Sequence, residues 1–131
     1  MTEELVMQIE PIENIEALRI YEAKADGLLG RATIPPITVL LRDFGGMGQI
    51  IVECDGSAWS RWFGAVGSRS LRDHIATLTA ESLARELLRK TPHAWTLWCA
   101  RTRQVEPIAR AVITAMKGLN DVNRMMGRKC L

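Results

Sequence analysis

Two apolar, β-branched runs, Ile37–Phe44 and Gln49–Asp55, flank the glycine-rich Gly45-Gly46-Met47-Gly48, and this block constrains the fold more than any other in the chain. Runs of that length and composition separated by glycines predict an antiparallel β-hairpin. Side chains alternate across a strand, so Ile37, Val39 and Leu41 share one face, and Ile50, Val52 and Cys54 share another. Cys54 then reads as a small buried hydrophobe. Residues 56–67 (GSAWSRWFGAVG) are bounded by glycines, and both a third strand and an irregular loop are open readings there.

Before the hairpin, the segment ending Val6-Met7-Gln8-Ile9 is expected to be a short edge strand, stopped by Pro11. Asn14 is placed to cap a helix in which Ile15, Leu18, Tyr21 and Ala25 recur at helical spacing, with Gly27 and Gly30 ending it. Ile34-Pro35-Pro36 is a stiff extended lead-in, because proline restricts both itself and the residue before it.

After the hairpin the periodicity changes. Ser70 with Asp73 three residues on is a capping-box variant that starts a helix. Thr79 opens a stronger one, whose Ala80, Leu83, Ala84, Leu87 and Leu88 form an apolar stripe. Glu81–Arg85 and Glu86–Lys90 are i,i+4 pairs in the favourable order. Thr91-Pro92 starts a further helix that runs to about Arg103. Glu106-Pro107 restarts it, with Ile108, Val112, Ala115 (or Met116) and Leu119 as its stripe, and Gly118 is expected to end it. The fold class is therefore α+β: one compact domain over 1–131, with an antiparallel hairpin at 37–55 and a helical half at 70–119 packed against it. A short basic tail follows at 120–131.

At 131 residues and 47% hydrophobic content the chain can build a core without disulfides or metals. Cys54, Cys99 and Cys130 are odd in number and scattered, which reads as reduced thiols in a cytoplasm. No apolar run approaches the length of a bilayer span, and the first residues are acidic, so neither a membrane helix nor a secretory signal is expected.

Catalytic patterns are hard to find. A phosphate-binding glycine loop joins a strand to a helix, whereas Gly45–Gly48 joins two strands. Asp43, Glu53 and Asp55 could hold Mg²⁺, but Arg42 is the expected neighbour of Glu53, and Asp43 has the opposite parity. His74 and His93 lie in no ligand motif, and a Cys–His nucleophilic pair would have to be made by the fold. Ser57 and Ser60 lack a nucleophile-elbow context. The reading is a non-enzyme that needs no cofactor.

Binding signals are stronger. Trp59 and Trp62 are three apart with Arg61 between them, and Trp95 and Trp98 repeat the spacing ahead of Arg101 and Arg103. Trp and Arg dominate protein–protein hot spots, and aromatics beside arginines also stack on single-stranded bases. Trp95 and Trp98 are expected in the core. Trp59, Arg61 and Trp62 are the expected binding anchors, with Arg85 and Arg89 adding electrostatic steering. Charge is polarised along the chain: residues 1–60 hold four basic and ten acidic side chains, and residues 61–131 hold thirteen and five. A basic surface toward nucleic acid or an acidic protein, mutual neutralisation of the two halves, and a homodimer all fit that pattern.

The block Gly48–Gly67, GQIIVECDGSAWSRWFGAVG, with Trp59-Ser60-Arg61-Trp62 at its centre, resembles a W-S-x-x-W-G-x-x-G motif of small enterobacterial phage and prophage proteins. Phe63 stands as an insertion before Gly64. The resemblance implies a phage-encoded protein of the host bacterial cytoplasm and carries over no catalytic residues. The function expected from it is an accessory protein that binds a host or phage protein, inhibition of a host nuclease or defence complex being one form. The alternative is a nucleic-acid-binding accessory in phage replication or recombination.

Overall fold

The computed structural model describes residues 7–27, 30–89 and 95–129, with residues 26, 27 and 31 and the stretches 95–102 and 122–129 by backbone alone. Six strands come first: β1 (Ile15–Ile20), β2 (Lys24–Gly27), β3 (Gly30–Thr33), β4 (Ile37–Asp43), β5 (Gly48–Cys54) and β6 (Ser57–Phe63). Three helices follow: α1 (Leu71–Ala76), α2 (Ala80–Leu88) and α3 (Trp95–Lys129). Strands β1, β4, β5 and β6 form an antiparallel sheet in the order β1-β4-β5-β6, and β2 pairs with β3 in a separate two-stranded sheet. The fold is α+β, as expected.

The hairpin forms with Asp43 opposite Gly48 and Val39 opposite Val52. Gly45 and Gly46 take positive φ in its turn, the conformation that only glycine adopts cheaply. The Phe44 N–H donates to the Met47 carbonyl at 2.9 Å. Gly48 has a second reason to be glycine: a Cβ there would sit 2.6 Å from the Arg42 carbonyl and 2.8 Å from Leu71. The open reading of 57–63 resolves as a third strand.

The segment expected as a helix from Asn14 is instead β1, paired along its whole length with β4, followed by the β2–β3 hairpin. Asn14 does not cap anything; it takes a left-handed conformation at φ 63°. Leu18 and Ile20 alternate with exposed neighbours at strand period, and pairing with the exposed edge of β4 outweighs the helical spacing. Residues 7–9 run outside any strand, and the rest of the expected edge strand lies outside the described residues.

Helix starts were legible. The Ser70 hydroxyl accepts from the Asp73 N–H at 3.1 Å, and the Thr79 hydroxyl accepts from the Ser82 N–H at 3.1 Å. Helix ends were not. α3 continues through Pro107 and through Gly118, neither of which restarts or stops it. Buried Val105, Ile108, Ala109, Val112, Ile113 and Met116 lie on both sides of Pro107, and their packing offsets the roughly 3 kcal/mol that an interior proline costs. The expected tail is helical backbone as far as Lys129. Thr91-Pro92, the Lys90 pair, His93, Cys130 and the side chains of Trp95, Trp98, Cys99 and Arg101 lie outside what is described.

The helices cover one face of the four-stranded sheet. Ile37, Val39, Leu41, Ile50, Val52 and Cys54 on that inner face are buried against Leu71, Ile75, Leu83, Leu88 and the α3 stripe. No helix packs on the other face among the described residues.

Candidate functional site

Strand register decides which side chains meet on the uncovered face. Cross-strand partners share a face, so the pairings build three rows: Ile15–Arg42–Gln49–Trp62, Ala17–Leu40–Ile51–Ser60 and Arg19–Thr38–Glu53–Ala58. Leu40 and Ile51 are half-buried at its centre. The adjacent pairs Leu40-Leu41 and Ile50-Ile51 put one aliphatic side chain of each strand on the outer side, and that is the signal of this face in the sequence.

The apolar surface concentrates at one corner. Trp62 is 41% exposed and Phe44, just past the end of β4, is 47% exposed. Their ring centroids are 5.7 Å apart at a tilt of 38°. The Arg42 guanidinium lies over the Phe44 ring, 5.1 Å from its centroid, and its Nη1 donates to Gln49 Oε1 at 3.2 Å. Arg42 Nε is buried with no hydrogen-bond partner, so the ring's negative face is its compensation. Ile15 and Met47 are exposed beside this group. Phe44, Met47, Arg42 and Ile15 were not singled out as site residues from the sequence, because their neighbourhood depends on register.

The expected anchors do not form one surface. Trp62 stands on the outer face, but Trp59 lies opposite Val52 and Arg61 opposite Ile50, both turned toward the helices. Residues two apart on a strand share a face, and residues one or three apart do not. Trp59 is partly buried against the core and borders a pocket of about 390 Å³ with Ile34, Cys54 and Pro107. Arg61 Nε donates to Glu86 Oε2 of α2 at 2.5 Å, tying β6 to the helix layer. Arg85 pairs with Glu81 at 2.6 Å, and Arg89 lies 3.8 Å from Glu86. Carboxylates thus offset much of the steering charge assigned to both.

The other candidates are accounted for by structure. Both oxygens of Asp43 accept backbone N–H groups, from Gly45 and from Leu71, at 2.9 Å each. Glu53 faces Thr38 and Ala58 across the sheet, not Arg42 as expected, and Asp55 sits in the β5–β6 turn at φ 50°. Among the described residues no group of three His, Cys, Asp or Glu side chains is arranged to hold a metal. The Cys54 thiol donates to the Pro35 carbonyl at 3.5 Å. Burial pushes its pKa up, and the neighbouring Asp55 and Glu53 carboxylates add to the shift, so the thiol stays protonated. His74 packs edge-on against Phe63 at 5.2 Å. No described helix is long and apolar enough to cross a membrane.

The described residues thus form a two-layer α+β body, with helices on one face of the sheet and an aromatic corner on the other. The family model Phage_phiTE_072, described as a phage family, matches residues 7–117, and the chain belongs to that family. The match takes in the whole sheet, α1, α2 and much of α3. No curated protein and no solved structure matches the chain.

Proposed function

We propose that this phage protein is a non-enzymatic accessory that acts in the host cytoplasm by binding a host or phage protein through the outer face of its sheet. The observation that carries the reading is the exposed Trp62–Phe44 pair, set on Arg42 at the corner of a face that no described helix covers. Aromatic and arginine side chains supply the largest single contributions at protein interfaces, where they sit among neutral contacts that exclude water. Leu40, Ile51 and Ser60 are neighbours of that kind. Inhibition of a host nuclease or defence complex is one form such binding takes.

The face suits protein better than nucleic acid. A single-stranded nucleic-acid groove sets its aromatics in a cationic track. Here the rows hold Arg19 and Arg42 against Glu53, and Arg42 is committed to Phe44 and Gln49. The test is affinity capture from phage-infected cells with the wild type and with the Phe44→Ala/Trp62→Ala double variant. A partner retained by the wild type and lost by a double variant of unchanged circular dichroism is the expected result. Equal retention by both would remove the outer face from the function. Salt-resistant oligonucleotide binding that quenches Trp62 would replace the protein reading with the nucleic-acid one.

A further inference from the structure

The segment ahead of β1 is as unusual as the face beside it. Met7 and Ile9 are 82% and 86% exposed, Ile12 and Ile15 are also exposed, and the carboxylates Glu10 and Glu13 are interleaved with them. Three aliphatic side chains in water on one short arm call for a surface to cover them.

We propose that residues 7–13 are a strap that closes over the outer face of their own sheet and competes there with the partner. This rests on the outer face being the binding surface. The structure has the strap in its open position.

Reach, direction and charge support the closed position. The arm enters the sheet at Ile15, which begins the row Ile15–Arg42–Gln49–Trp62. Strands lie about 4.8 Å apart, so Trp62 is about 14 Å away across the row. Seven extended residues span up to about 23 Å, enough to bring Ile9 and Met7 to the Trp62–Phe44 corner. In the closed position the Glu13 carboxylate, two residues before Ile15, comes within reach of the cation next in the row, Arg42. Continuing β1 backwards as a straight strand is disfavoured, because Asn14 is left-handed and Pro11 lacks the N–H a ladder needs. The tether also selects its own sheet over that of a second copy: a short flexible linker gives an effective concentration of order mM.

The test uses full-length protein labelled with 5-fluorotryptophan, the Trp62 ¹⁹F resonance being assigned by its loss in Trp62→Phe. In the wild type, Trp62 is expected to show a small H₂O/D₂O solvent shift. Met7→Asp/Ile9→Asp, which alters only exposed side chains, is expected to enlarge that shift and to tighten partner capture. Glu13→Arg is expected to act in the same direction more weakly. An unchanged Trp62 resonance in Met7→Asp/Ile9→Asp would overturn the strap. So would a resonance change accompanied by a dimer-to-monomer shift in sedimentation, which would seat the arm on a second copy. Failure of the binding-face reading shows separately, as partner capture indifferent to Phe44→Ala/Trp62→Ala.

Discussion

The two faces of one four-stranded sheet carry different side chains and meet opposite fates: along β4 and β5 the inner face is apolar at Ile37, Val39, Leu41, Ile50, Val52 and Cys54, whereas the outer face sets Leu40 and Ile51 among Thr38, Arg42, Gln49 and Glu53. Ile50 and Val52 on the inner face are fully buried, while Ile51 between them is only half-buried on the outer face. The difference comes from what lies above each face. Three helices and their stripes close the inner one, and no described element closes the outer one. Large apolar side chains grouped on a surface that no described element covers, here Trp62 and Phe44, are a feature of interaction sites.

The sharpest way to break the comparison is to put the same charge on both faces. Val52→Asp buries a carboxylate with no partner and is expected to abolish cooperative folding, since its cost rivals a domain's whole stability of about 5–15 kcal/mol. Ile51→Asp, one residue away, is expected to leave a folded protein. Far-ultraviolet circular dichroism through a thermal ramp separates the two.

Truncation should give the same contrast on a finer scale. Ile50→Ala is expected to cost about 2–5 kcal/mol in urea unfolding through lost transfer energy and a cavity. Trp62→Ala should cost about 1 kcal/mol or less, although it removes a larger side chain, because that ring is already partly in water.

Gly48 lies where the sheet meets α1. Gly48→Ala is expected to cost about 1–3 kcal/mol, because the added methyl collides with the Arg42 backbone as well as with Leu71. The helix layer itself is probed at its caps: Ser70→Ala and Thr79→Ala should each lower stability by about 1 kcal/mol. Both are read from urea midpoints at constant m-value.

The smallest effect is a pH slope. Cys54 has a raised thiol pKa in the folded protein, so above the unfolded thiol's pKa, about 8.5, the native state holds a proton that the unfolded state has lost. Stability should therefore be flat below that pH and decline above it. Cys54→Ala should flatten the decline, as measured by unfolding midpoints at pH 7 to 10.

Much of the fold was legible because it is local. The glycine turn, the alternation in β4 and β5, the caps at Ser70 and Thr79, and the α2 stripe all rest on side chains within a few residues of one another. The N-terminal helix was misjudged for the converse reason. Ile15, Leu18 and Tyr21 satisfy a helical period, but β4 offers Ile15 and Leu18 partners some twenty residues along the chain.

The candidate site was half-legible. Of the expected anchors Trp62 is the one exposed on the outer face, and grouping it with Trp59 and Arg61 assumed that sequence neighbours share a surface. Strand alternation sends Trp59 and Arg61 inward, where Arg61 meets Glu86 from α2.

By itself, the sequence determined the α+β class, the hairpin and its turn and the capped helix starts, because propensity and periodicity act over a few bonds. Only the tertiary structure decided that Phe44, Arg42 and Trp62 stand together on an open face. That grouping depends on the register of β4, β5 and β6, and a slip of one residue would have turned every one of those side chains the other way.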